Sequence, residues 1–558
     1  MSNVQQTEDN EKHIERQTHN GRDAELAIKE RDNHQRSSSL AELMDLCRDM
    51  ELELFHTPDG EMFVTFQVNS HRETRSLKSS EFCGWVKRQY YLKFNKAVNR
   101  QALEDGLDCL ENRAQYEGEE KPVFTRVARL REKLYLDLAN ENWGAVEITE
   151  DGWHVVNDPP VRFRRSKAMA PLPCPAHVTC DEGFSELHKF VNLKTEQEFQ
   201  LFIGWLLGAF HPSGPYLIAV LCGEQGTAKS THARVMRAMV DPSTAPLRAM
   251  PNKEDDLMVS AKWNWLVVLD NVSKIDGWLS DALCRLSTGG GLSKRAHYTN
   301  DEEFTLNAKR PIILTGIGEI VTRSDLQDRS VFFDLAVIDK GHRKTEQDFW
   351  RDFEIAQPKI LGALCNALSG SLANISSTSL PELPRMADPL LWVTAAEGAM
   401  GWPPGAFHAA YTENQRQSNS VILEQSPIAR DIMNLADKGW CGTATDLLSK
   451  LCAENSDYRD YRSWPANAKS LSDWLKRLAP NLRQAGVEVE WRRSDGTDSK
   501  RIITIKRVCV ASVAFVAKEQ TCDASDSGDA ELGKELSEPP EWVQELAPID
   551  ESYMSGPV

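Results

Sequence analysis

Residues 217–236 read LIAVLCGEQGTAKSTHARVM: an apolar run, a glycine-bearing loop, then Lys229-Ser230-Thr231 opening an amphipathic helical pattern. Those residue types at that spacing suit phosphate. A buried strand that turns sharply into a helix aims successive backbone N–H groups, and the positive helix end, at one point. Gly223 and Gly226 permit the tight path. Lys229 is placed to reach the β- and γ-phosphates of a nucleotide, and Ser230 to ligate magnesium. Glu224, Gln225, Thr227, Ala228 and Thr231 complete the expected cradle. Ala228 stands where such loops usually carry a second glycine; its methyl is accommodated if φ there is negative. An ordinary strand–turn–helix would need no particular neighbours, so the test lies downstream.

Three further stretches answer it. NWLVVLDNVS is a second buried apolar strand, ending in Asp270, a carboxylate suited to organising magnesium at a sheet's C-terminal edge. RPIILTG ends in Thr315, able to orient an attacking water. RSDLQDRSVFFDL sets Arg323 and Arg329 before a fourth strand, where Arg329 could reach the γ-phosphate of a neighbouring subunit. The expected catalytic set is therefore Lys229, Asp270, Asn271, Thr315 and Arg329, with Ser230 and Asp270 on the metal.

The order GEQGTAKS, LVVLDN, PIILTG, DLQDRS resembles the superfamily 3 helicase branch of the AAA+ ATPases. More widely, residues 45–507 resemble a bacterial family of ATP-binding and primase/helicase proteins, on GEQGTAKSTHARVMRAMVDP, WLSDALCRLSTGGGLSKR and LPRMADPLLWVTAAE. The resemblance implies a hexameric ring that binds ATP and magnesium between subunits and moves along DNA. Three departures qualify it. Asn271 occupies the place of a water-polarising carboxylate, for which Asp276, Asp281 and Glu319 are candidate substitutes. Thr315 replaces the usual Asn. LSKRAHYTNDEEF lies where the family inserts a DNA-gripping pore hairpin; Lys294, Arg295 and His297 could contact phosphates, while NDEE would repel them. A merely solvated hairpin fits equally.

These residues need a scaffold. The chain has 558 residues, 41% hydrophobic and 27% charged, too many for one core. The expected fold class is α/β: an AAA+-type P-loop domain at 213–370, preceded by an α+β domain at 41–165 and a helical connector at 166–212. A helical linker at 371–424 and a winged helix-turn-helix at 425–507 follow. Residues 1–40 read as a disordered lead-in without a signal or anchor, and 508–558 as a disordered acidic tail. No apolar run is long enough to span a membrane, so the expected location is the cytoplasm. The twelve cysteines then read as reduced; PCPAHVTC, with Cys174 and Cys180, lacks usual zinc spacing. The α+β domain shows no convincing carboxylate cluster among Asp137, Glu147 and Glu150, and reads as a docking or assembly domain.

Net charge is −18, but unevenly placed. Residues 518–558 hold eleven acidic and two basic side chains, whereas 464–507 hold ten basic and five acidic. Local sign governs the steering of a polyanion. In 425–507 three helical patterns precede two strands, the third helix basic. Lys469, Lys476, Arg477 and Arg483 would serve that helix in a DNA groove; Arg492, Arg493, Lys500 and Arg501 would serve the wing.

The leading expectation is an ATP-hydrolysing, helicase-like motor replicating a phage, plasmid or integrated element, with DNA and other replication proteins as partners. The alternative is an ATP-switched DNA-binding regulator or loader with slow hydrolysis. An ATPase of a defence system would carry the same motifs.

Overall fold

The computed structural model describes residues 39–295, 303–306, 308–317, 320–321, 323–338, 341, 343–454, 464–493 and 500–508, giving the backbone alone at 292–295, 303–306, 425, 427 and 454. The expected acidic tail from 509 and the lead-in up to 38 lie outside these. Residues as far as Ser418 form one compact unit and those from Asn419 a second.

The first unit begins with helix α1 at 39–49 and strands β1 (Glu53–His56), β2 (Met62–Val68) and β3 (His71–Ser76). Helices α2 (Ser80–Phe94) and α3 (Arg100–Tyr116) follow, capped by Ser79 and Asn99, and then β4 (Glu119–Glu120). The sheet order is β3-β2-β1-β4, with Phe66, Phe82 and Leu110 in the core beneath it. Next come β5 (Val123–Phe124), β6 (Val127–Leu130), β7 (Lys133–Asp137), β8 (Ala145–Thr149), β9 (Gly152–Val156) and β10 (Arg162–Phe163). Strands β6 to β9 form an antiparallel meander, and β5 pairs with β10. The run KPVFTRVARL reads as one strand in sequence; the backbone breaks it near Arg126, at φ +67°. Within the expected connector, α4 (Cys180–His188) and α5 (Glu196–Ala209) both open on Thr–Glu capping boxes, Thr179 with Glu182 and Thr195 with Glu198. Between them and the meander, His177 stacks on Trp153 at 4.2 Å.

The centre holds β11 (Ile218–Cys222), α6 (Lys229–Val240), α7 (Glu254–Trp263), β12 (Val267–Val272), α8 (Gly277–Thr288), β13 (Leu292–Arg295), β14 (Glu303–Leu306), β15 (Ile312–Gly316), α9 (Ser324–Gln327) and β16 (Ser330–Asp334). Strands β12-β15-β11-β16 make a wholly parallel sheet in that order. All of β15 and the first four residues of β11 are buried. The unbroken apolar runs in the sequence have this cause: helices cover both faces, so neither needs polar alternation. Parallel strands also bring their C-terminal ends, and the loops beyond them, to one edge. Strands β13 and β14 pair as a separate antiparallel hairpin.

Helix α10 (Glu346–Asn374) runs for 29 residues with Pro358 inside it, so the boundary expected at 370 falls within a helix. Its early turns touch α6: Arg234 pairs with Glu346 and stacks on Trp350, and Gln357 donates to Ala238 O at 2.8 Å. Its later turns touch the meander: Trp153 Nε1 donates to Asn366 at 2.8 Å and Ser369 Oγ to Thr149 O at 2.7 Å. α11 (Ala387–Thr394) and α12 (Ala406–Gln425) complete the unit, the boundary between units falling inside α12.

The second unit comprises α13 (Pro427–Lys438), β17 (Trp440–Thr443), α14 (Ala444–Glu454), α15 (Ala468–Gln484), β18 (Val487–Arg493) and β19 (Arg501–Arg507). Its antiparallel sheet has the order β17-β19-β18. Strand β17 is the stretch that reads as a turn in sequence; pairing of Trp440 with Ile505 draws it into the sheet. Leu447, Leu475, Leu482, Val487 and Ile505 share its core. Among the described residues no helix is long and apolar enough to cross a membrane.

Candidate nucleotide site

The loop 223–228 leaves β11 at the C-terminal edge of the parallel sheet and enters α6 directly. Gly223 and Gly226 take φ of +143° and +89°, which glycine alone adopts without strain. Ala228, where a negative φ was expected, instead has φ +61°, and its methyl is carried in the left-handed region. That conformation costs roughly 1–2 kcal/mol in a residue with a Cβ. His232, one turn on and buried, offsets it: its Nε2 accepts the Asn192 N–H at 2.7 Å, so Nδ1 donates to Ala228 O at 2.9 Å. Burial holds this imidazole below its ordinary pKa, in the neutral form that both bonds require. Nothing in the sequence pattern singles His232 out. Ala228→Gly should therefore raise the stability of the first unit by about 0.5–1 kcal/mol, strain relief less the added unfolded-chain freedom. A lower urea midpoint for that variant would refute the strain.

No side chain caps the start of α6, and the amides of a helix's first turn have no partners inside the helix. Lys229 Nζ lies along the loop, donating to Gly223 O at 2.8 Å and Glu224 O at 2.6 Å. Thr227 is buried and donates to Glu224 O at 3.0 Å, bracing the turn from inside. Glu224, Gln225, Gly226 and Ser230 are exposed. Thr231, the last residue of the expected cradle, lies in the first turn of α6.

Three neighbouring ends converge here. Asp270 Oδ1 accepts from Ser230 Oγ at 2.9 Å and from Thr315 Oγ1 at 2.5 Å. Thr315 in turn accepts the Asn271 N–H at 3.0 Å. Thr315 is buried and its hydroxyl proton is committed to Asp270, so it positions a carboxylate; orienting a water is left to its remaining lone pair. The pairing of β12 with β15 shifts register between Leu269 and Val272, and Asn271 sits at φ +57° in that irregularity. Asn is among the few residues that tolerate this region, which gives a backbone reason for it at this position. Among the candidate replacement carboxylates, Asp281 is engaged by Arg323 at 2.7 Å, Asp276 precedes α8 as its N-cap, and Glu319 lies outside the described residues.

Arg329 does not join this cluster. It precedes β16, whose Ser330 is level with Ile218 at the start of β11, so it lies at the opposite edge of the sheet. There its Nη1 donates to Asp325 O at 2.7 Å. Arg323 is bound to Asp281 and Asp325. Arg343, which sequence reasoning passed over, comes close instead: its Nη2 lies 3.9 Å from where a Cβ on Gly226 would stand. Its approach is set by tertiary structure, since β16 runs beside β11 and the chain beyond it skirts the loop.

The far end of α6 is fixed from below. Asp241 accepts from Arg126 Nε at 3.1 Å, lies 3.5 Å from Arg237, and also accepts the Trp265 and Leu266 amides. All three charged side chains are buried. Arg126 also reaches Asp137 O and Ala170 O.

Of the expected DNA contacts, Lys294 and Arg295 lie on β13, described by backbone alone, and His297 lies outside the described residues. Lys469, Lys476, Arg477 and Arg483 are exposed on α15; Arg492 and Arg493 are exposed on β18, and Lys500 and Arg501 at the start of β19. Arg492 pairs with Glu490 at 2.8 Å.

Residues 184–406 match the family model described as the actinomycete integrative conjugative element replication protein, and residues 428–519 match the AICE RepA C-terminal domain. No curated protein matches the chain. Among solved structures, the A form apo structure of the NrS-1 C-terminal region is similar at 12% identity, over 82% of this chain and 96% of that one, with a TM-score of 0.36. The X-ray structure of JCV Helicase is similar at 13% identity, over 40% of this chain and 66% of that one, with a TM-score of 0.22. Scores this low carry no argument. Both matched spans carry models of the same kind of protein, and the chain is a replication protein of a conjugative element.

Proposed function

We propose that the chain is an ATP-hydrolysing, superfamily 3 helicase-like motor of the AAA+ type that works on DNA during replication of such an element. The observation that carries this reading is the meeting of Ser230, Asp270 and Thr315 at the sheet edge from which the loop 223–228 departs. A hydroxyl and a carboxylate oxygen 2.9 Å apart, next to a lysine on a glycine-rich turn, form a donor set of the kind that takes Mg²⁺ with a triphosphate. Ser230 and Asp270 would hold the metal, which when bound neutralises charge developing on the phosphoryl oxygens. Lys229 would leave the loop carbonyls for the phosphates, and the first-turn amides of α6 would bind phosphate oxygens. Arg343 would add charge from the same subunit, and Arg329 from a neighbour in a hexameric ring. The second unit, with the helix and strand order of a winged helix-turn-helix, would place α15 in a DNA groove and the β18–β19 hairpin on the backbone. Strand displacement on forked DNA with ATP tests the motor; ATP-dependent binding without unwinding would overturn it.

One observation favours a second reading, a slow ATP-gated switch. Asn271 can orient a water but cannot take its proton. Asn271→Asp supplies a carboxylate in a residue that also tolerates the left-handed backbone. It should raise DNA-stimulated hydrolysis about tenfold or more if proton acceptance limits turnover. An unchanged rate would show that the amide is not the limiting feature.

A further inference from the structure

A trough lies away from the nucleotide edge, where the first sheet, the chain around Arg164–Lys167 and the end of α7 meet. One cavity of about 570 Å³ includes Phe63, Lys78, Arg164, Lys167, Lys262 and Trp263 in its lining. A second, of about 460 Å³, shares Arg164 and Lys262 with it and extends to Ala308, Lys309 and Arg310. These follow directly on β14, so the trough leads to the root of the β13–β14 hairpin.

Its chemistry is that of a stacking platform ringed by cations. Trp263 is 43% exposed although it ends a helix packed on the central sheet. The Arg164 guanidinium lies 5.9 Å from its ring centroid and 5.5 Å from that of Phe63; Lys262 Nζ lies 5.9 Å from the indole. Glu61 is shared by Arg164, at 3.1 Å, and Lys262, one carboxylate between two cations. Arg75 and Arg165 also line the cavity but are held by Glu73 and by the buried Asp137. Lys78 and Lys167 stand at the rim, 61% and 80% exposed; Lys78 pairs with the half-buried Glu111 and the exposed Asp108, and Lys167 with Glu81. The solvated Lys167–Glu81 pair is weak and exchanges readily for phosphate. An exposed indole between guanidinium and ammonium groups offers a face to an unpaired base and charge to the phosphates beside it, whereas bases in a duplex are already stacked.

We propose that this trough binds single-stranded DNA, with a base on Trp263 and the backbone along Arg164, Lys262 and the rim lysines, and passes it towards the hairpin. None of its lining residues belongs to the phosphate loop or to the second unit. The test is fluorescence anisotropy of a labelled 20-nucleotide oligo(dT), without nucleotide, on the full chain. Trp263→Ala should weaken binding about tenfold, Trp263→Phe should restore most of it, and affinity for a 20-base-pair duplex should be unchanged. Lys167→Ala, which removes no packing, should flatten the salt dependence of oligo(dT) binding. Wild-type affinity in Trp263→Ala, or an equal loss for duplex, would overturn the proposal. So would full displacement of oligo(dT) by millimolar thymidine monophosphate, which would mark a mononucleotide pocket instead.

Discussion

Replacing Lys229 by alanine is expected to cut ATP-dependent turnover by about 10²-fold or more, the scale on which a preorganised charge donor acts in a transition state. Nucleotide affinity should fall with it. The fold should be untouched, because the ammonium bonds only within its own loop, to two carbonyls and, at 3.5 Å, to the Thr227 hydroxyl. Circular dichroism and the urea midpoint of the variant should therefore superpose on those of the wild type while hydrolysis disappears. Unchanged hydrolysis would remove the loop from the chemistry altogether, and with it both the motor and the switch.

The other large effect is structural. Asp241→Ala is expected to cost about 3–5 kcal/mol, because it strands two buried guanidinium groups that then have no counter-ion. It also removes the acceptor for two amides at the foot of β12. Urea denaturation followed by tryptophan fluorescence reads this directly. A second variant separates the ion pair from mere volume: changing Arg126 and Asp241 together to Met and Leu should recover the share of the loss due to Arg126, since a buried pair replaced by apolar side chains is often close to neutral, while Arg237 and the two amides still lack their acceptor. A double variant as unstable as the single would show that shape, and not charge, fixes that contact.

The sequence and the structure agree where local physics is sufficient. The buried strands β11, β12 and β15 were legible as apolar runs, and α4 and α5 begin at Thr–Glu pairs whose capping is a matter of four residues. The convergence of Ser230, Asp270 and Thr315 followed from the rule that parallel strands end at one edge. What could not be read was long-range or conformational. The sign of φ at Ala228 depends on His232 and Asn192, the latter 36 residues away. Arg343 reaches Gly226 only through strand order. Strand β17 is too short and mixed to signal itself without β19. Arg126 looks like one polar position in a strand until Asp241 is brought to it from 115 residues away.

Pro358 lacks the amide that would complete the ladder of α10, so this helix is missing one rung near its middle. The turns before that gap are keyed to the helix that starts at Lys229; those after it are keyed to the meander of the first domain. A rod of about 43 Å with a compliant joint at that place can follow a small tilt of α6 without prising Asn366 and Ser369 from their partners. The joint sets where a tilt between α6 and the meander would be absorbed.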